Sequence, residues 1–122
     1  MSNSGLVVMQ IRDATVVNFR NTSILDGNAV EDIRSELYSL VGDRAQRKVV
    51  LDFTPVQFLS SMMLGVLLEM QKKSRAIKGR VVVCGLRPNI FEVFKIMKLD
   101  KLMDFAPDEK TALAQFGIDL PG

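Results

Sequence analysis

The chain of 122 residues has no histidine and only one cysteine. Without histidine there is no Ser-His-Asp or Cys-His set for nucleophilic catalysis, and one cysteine without histidine offers no zinc site. A lone thiol also makes no internal disulfide, and Cys84, closing the run Val81-Val82-Val83, suits a buried central strand. Charge of one sign is scarce too. Lys plus Arg exceed Asp plus Glu by 16 to 14, and the signs alternate along the chain, so no nucleic-acid footprint is expected. No apolar run approaches the roughly 20 residues that span a bilayer. The opening MSNSGLVVMQ has no basic n-region and no cleavage site, which leads to the expectation of a cytoplasmic protein without a membrane partner. A Gly-rich phosphate loop is missing as well. The carboxylate pairs Glu31–Asp32 and Asp104–Asp108 fall in solvated contexts, and the sequence places no pair in an apolar cleft that would raise a pKa. No catalytic residue, metal or cofactor is therefore expected.

Hydrophobic content of 48% with 25% charged residues describes one ordinary globular domain spanning residues 1–122. Leu6–Ile11 and Ala14–Phe19 form two Val/Ile-rich runs about Arg12-Asp13, a β-hairpin pattern. A polar break at Asp26-Gly27-Asn28 precedes a helical spacing of Val30, Ile33, Leu37, Leu40 and Val41, with Asp26 or Asn28 as the cap and Gly42 as the stop. Val49–Phe53 and Arg80–Cys84 read as buried strands. Between them lies a helix reaching about Lys78, with Gly79 as terminator, so the three make a βαβ unit with parallel strands. Pro88 opens a short helix carrying Ile90, Phe91, Val93, Phe94 and Met97. Leu102–Phe105 reads as a last strand and Asp108–Phe116 as a last helix, beyond which GIDLPG is expected to fray.

The most informative stretch is LDFTPVQFLSSMMLGVLL, Leu51 to Leu68. Strand periodicity ends at Pro55. Helical spacing of Leu59, Met63, Val66, Leu67, Met70, Ser74 and Ile77 takes over, with Ser60 and Ser61 at the join. Backbone N–H groups at a helix start lack intrahelical partners, so the join accepts a capping hydroxyl or a negative group such as a phosphate. At 100° per residue, Ser60 falls beside the apolar face near Leu67 and Gln71, and Ser61 falls with Gly65 and Lys72 on the opposite side. Met62 shares its direction with Glu69 and Lys73, an apolar side chain on a wet face. Asp52 is expected to make a turn or cap contact, or to hydrogen-bond to the serine junction.

The same stretch resembles the signature of STAS domains, in particular the bacterial anti-sigma factor antagonists. Val56 and Phe58 match the approach, Ser61 the phosphoacceptor, and Leu64 and Gly65 the closing Leu-Gly. Ser60 stands where the family usually has Asp, and Met63 where it usually has Gly. The resemblance extends to Ser23-Ile24-Leu25-Asp26 and to Val82-Val83-Cys84 through Phe94. It implies an α/β fold with a mixed four- or five-stranded sheet, parallel central strands and about four helices. It further implies a non-enzymatic partner switch: the antagonist binds an anti-sigma factor of the serine-kinase type, frees the sigma factor, and is released when Ser61 is phosphorylated. The partner surface expected on this basis comprises Asp26, Asn28, Ser60, Ser61, Met62, Leu64 and Gly65, on a monomer or weak homodimer. The alternative reading is a non-phosphorylated interaction or scaffold module that binds constitutively.

Overall fold

The computed structural model describes residues 5–119. Leu6–Ile11 (β1) and Ala14–Phe19 (β2) form the antiparallel hairpin, with Arg12 at a φ of 54° in its turn. Ser23–Ile24 (β3) is a short strand, and Gly27–Val41 forms helix α1. Lys48–Asp52 (β4), Phe58–Leu59 (β5), Ser61–Ala76 (α2) and Arg80–Cys84 (β6) follow. Pro88–Ile96 (α3), a single 3₁₀ turn at Leu99–Lys101, Asp104–Ala106 (β7) and Glu109–Ala114 (α4) complete the order. Five strands make one mixed sheet in the order β1-β2-β4-β6-β7, with every pairing after the hairpin parallel.

Side-chain alternation explains why the central strands read as unbroken apolar runs. Along β4, Val49 and Leu51 enter one core with Val81 and Val83, under α1, α2 and α3, whereas Val50 and Val82 enter a second core under α4. Both faces are covered, so no position is left for a polar residue. Cys84 is fully buried in the second core, and burial pushes its thiol pKa up, away from the thiolate.

The structure changes several boundaries expected from the sequence. A second, two-stranded parallel sheet of β3 and β5 was not anticipated, because two-residue strands carry no periodicity. The left-handed residue that ends α2 is Lys78, with φ 59°, not Gly79. Gly79 instead packs under Arg47, where an added Cβ would lie 2.9 Å from the Arg47 carbonyl oxygen. The last strand begins at Asp104, two residues later than expected. The segment after α4 is not frayed where it is described: Ile118 is buried, and its N–H donates to the Leu113 carbonyl at 3.0 Å. Positions 120–122 of the expected frayed end lie outside the described residues. No helix among the described residues is long and apolar enough to cross a membrane.

Candidate functional site

Ser60 is the N-cap of α2. Its backbone is extended, and its Oγ accepts from the Met63 N–H at 3.3 Å, satisfying one of the donors that a helix start leaves over. Ser61, the first helical residue, is exposed, and its hydroxyl has no partner among the described residues. The wheel therefore separated the two serines correctly, one committed to the fold and one facing solvent. No acidic residue occupies the first turn of α2, so the positive end of its dipole is open to an anion at this point.

The small β3–β5 sheet joins the two halves of the candidate surface. Ser23 pairs with Phe58 and Ile24 with Leu59, and the Ser60 N–H donates to the Ile24 carbonyl at 2.9 Å. This pairing sets Leu25 and the start of α1 beside Ser60 and Ser61. Of the two candidate caps for α1, Asp26 is the one used, accepting from the Ala29 N–H at 3.3 Å, while Asn28 lies exposed in the first turn. From the other side, the Asn89 amide of α3 donates to the Gln57 carbonyl at 3.5 Å, so the start of α3 also adjoins the segment before β5.

Three apolar side chains remain in solvent around this junction: Leu25 is 58% exposed, Phe58 57% and Met62 58%. Met62 was expected on the wet face. Leu25 and Phe58 were quoted only as sequence matches, and the signal for their exposure is the β3–β5 register, in which large side chains follow and pair within strands too short to bury both faces. Gly65 is exposed with open space around it. Leu64 does not join the surface: only 2% of it is exposed, and it packs in the main core beneath the junction with Met63. The family match had put Leu64 on the partner surface, but the packing of α2 against α1 and the sheet covers it.

Asp52 does not reach the serines. Its Oδ1 accepts from the Thr54 N–H at 2.9 Å and the Thr54 hydroxyl at 2.5 Å, closing the turn that leads from β4 to the junction. Asp52 lines one cleft with Glu109 of α4, a neighbour that no local sequence pattern reveals because the two lie on distant segments. Of the carboxylates expected in solvated contexts, Asp104 accepts from Arg80 Nε at 2.7 Å, and Asp108 caps α4 by accepting from the Thr111 N–H at 2.8 Å.

Comparison with known proteins agrees with this architecture. The family model described as STAS domain matches residues 7–112. BtrV of Bordetella bronchiseptica, named as a candidate anti-sigma factor antagonist, is 33% identical over 98 residues, covering 80% of this chain and 84% of that protein. The anti-sigma F factor antagonist of Paenibacillus polymyxa is 25% identical over 103 residues, covering 84% of this chain and 88% of its own. The Bacillus cell fate determinant SpoIIAA, solved in its phosphorylated form, superposes with a TM-score of 0.71 at 24% identity, covering 91% of this chain and 98% of that one. By the extent of the family match and the identity to its relatives, the chain belongs to the STAS domain family, among proteins named as anti-sigma factor antagonists.

Proposed function

We propose that this protein is an anti-sigma factor antagonist that binds an anti-sigma factor of the serine-kinase type through the surface around the start of α2, and that phosphorylation of Ser61 ends the binding. The observation that carries this reading is the division of labour between the two serines: the Ser60 hydroxyl caps the helix, and the Ser61 hydroxyl is left exposed and unpartnered. Leu25, Phe58 and Met62 give the partner an apolar surface to cover, with Asp26, Asn28 and Gly65 around it. Ser60 and Leu64 act from beneath by fixing where that surface stands.

Phosphorylation then works by sign. A phosphate on Ser61 brings about −1.5 to −2 charge at pH 7. The fold tolerates it, because α2 begins there with no acidic residue in its first turn. An apolar partner surface does not, because the dianion would have to be desolvated without a countercharge. A phosphorylated form of SpoIIAA is consistent with a phosphorylated state in this fold.

One observation favours the second reading, a constitutive binding module. Met62, adjacent to Ser61, projects into solvent where a kinase would close on the hydroxyl. Incubation of the protein with the co-purified anti-sigma factor and ATP, followed by mass spectrometry, separates the two. A single phosphate on Ser61 is the expected product, and an unmodified protein still in complex would replace the switch with the constitutive module.

A further inference from the structure

Exposed apolar side chains also gather at the far end of α3, away from the serine junction. The helix closes at Ile96, Lys98 turns the chain with a φ of 61°, and the 3₁₀ turn Leu99–Lys101 packs back against α3. Ile96 is 75% exposed, more than any other large hydrophobic residue among those described, and Met97 and Leu102 stand in solvent beside it in sequence and across the turn. Lys95, Lys98 and Lys101 are interleaved with them and exposed. Arg75 of α2 joins the same segment by donating to the Leu102 carbonyl at 3.3 Å. We propose that this knuckle is a peripheral binding surface for anionic lipid, with the lysines and Arg75 at the headgroups and Ile96, Met97 and Leu102 in the outer hydrocarbon.

The knuckle is anchored from beneath. Phe94, Leu99 and Met103 are buried in the main core. The Met97 N–H donates to the Val93 carbonyl and the Lys98 N–H to that of Lys95, both at 3.0 Å, and the Leu102 N–H donates to the Leu99 carbonyl at 3.0 Å. Gln71 of α2 donates to the Leu102 carbonyl at 2.8 Å. The exposed side chains thus project from a backbone that is already ordered, so little chain entropy is lost on binding.

Charge complementarity selects the partner. The cations Arg75, Lys95, Lys98 and Lys101 face the carboxylates Glu92 and Asp100, and Glu92 is already paired with Lys95 at 3.3 Å. Lys98 and Lys101 have no ion pair among the described residues, which leaves their ammonium groups to phosphate headgroups. A nucleic-acid backbone would meet the lysines and leave the apolar side chains in water. A bilayer interface takes both kinds at once. The expectation of no membrane partner came from the lack of a spanning run, and a surface of this kind needs none. In the sequence Glu92 and Asp100 dilute its charge, and Arg75 enters only through the fold.

The knuckle and Ser61 occupy opposite ends of two parallel helices. Asn89, at the start of α3, adjoins Gln57 before the serine junction, whereas Leu102, past its end, adjoins Gln71 and Arg75. Along the α2 axis those two residues lie roughly 15 and 21 Å beyond Ser61. Lipid at the knuckle leaves the Ser61 end open, and the inference does not depend on what binds there.

Flotation of the full chain with vesicles of phosphatidylcholine containing about one-third phosphatidylglycerol, beside vesicles of phosphatidylcholine alone, tests the proposal. At low ionic strength the protein should float with the anionic vesicles and not with the neutral ones. Lys98→Gln with Lys101→Gln should lower the partition coefficient at least about tenfold, since each cation at the surface counts for about a factor of five. Ile96→Gln with Met97→Gln should lower it about as much. Arg20→Gln with Lys110→Gln, which removes the same charge from exposed sites elsewhere, should change it less than about twofold. Circular dichroism shows that each variant is folded, and all six positions are exposed. No flotation with the anionic vesicles, or an equal loss from the Arg20 and Lys110 pair, would overturn the proposal. Retention by a DNA duplex that survives Ile96→Gln with Met97→Gln, in a protein that does not float, would overturn it in favour of a nucleic-acid surface.

Discussion

Ser60→Ala removes one hydroxyl and leaves everything else at the junction in place, which makes it a clean measure of how much the cap holds. The Ser60 N–H still donates to Ile24, so the β3–β5 pairing survives, and the Met63 N–H still reaches the Ser60 carbonyl at 3.1 Å. What is lost is the 3.3 Å bond from the Met63 N–H to Oγ. An N-cap of this type contributes about 1 kcal/mol, within a range of roughly 0.5–2, and the long bond together with the retained carbonyl contact puts this one in the lower half of that range. At about 2.1 cal/mol/K per residue, a chain of this size unfolds with an entropy near 0.26 kcal/mol/K, so the melting temperature should fall by about 2–4 °C. Ser60→Asp restores an acceptor and adds a charge that suits the helix start, so it should melt at or slightly above the native temperature. Thermal unfolding followed by circular dichroism reads all three proteins, with Ser61→Ala as the control that should not move. A Ser61→Ala loss as large as that of Ser60→Ala, or no loss from Ser60→Ala, would show that the two hydroxyls do not divide the work as described.

Met62→Lys should melt within about 1–2 °C of the native protein, because exposed substitutions usually cost under about 0.5 kcal/mol, yet it should weaken the anti-sigma complex measured by calorimetry. Leu64→Ala should behave in the opposite way, losing about 2–5 kcal/mol in a denaturant titration because it opens a cavity in the main core; an unchanged midpoint would put Leu64 on the surface after all. Hydrogen exchange should be slowest in β4 and β6, adjacent inner strands covered on both faces, and fast exchange in either would contradict the sheet order.

What could be read from the sequence follows from which forces act locally. The hairpin, β6 and the start of α3 matched the expected bounds, because strand alternation, unbroken Val runs and a proline at a helix start are local signals. The placement of Ser60, Ser61 and Met62, inward or exposed, was legible for the same reason: a helical wheel needs only neighbouring residues. Leu64 was not, since its burial is decided by the packing of α1 and the sheet against α2. Asp52 makes the turn contact expected of it, accepting from Thr54, and not the alternative bond to the serine junction; that it lines one cleft with Glu109 follows only once α4 folds back across the sheet. The β3–β5 sheet lies beyond periodicity altogether. Its two-residue strands are fixed by the chain segments on either side, and it is this pairing that assembles the surface around Ser61.

The central claim is that charge on Ser61 releases a partner without unfolding the domain. Titrating the anti-sigma factor into native protein, Ser61→Ala and Ser61→Asp, each first shown by circular dichroism to melt cooperatively, tests it most directly. The account predicts equal, tight binding for the native protein and Ser61→Ala, and at least a tenfold loss for a folded Ser61→Asp. Binding of Ser61→Asp as tight as that of the native protein would contradict it.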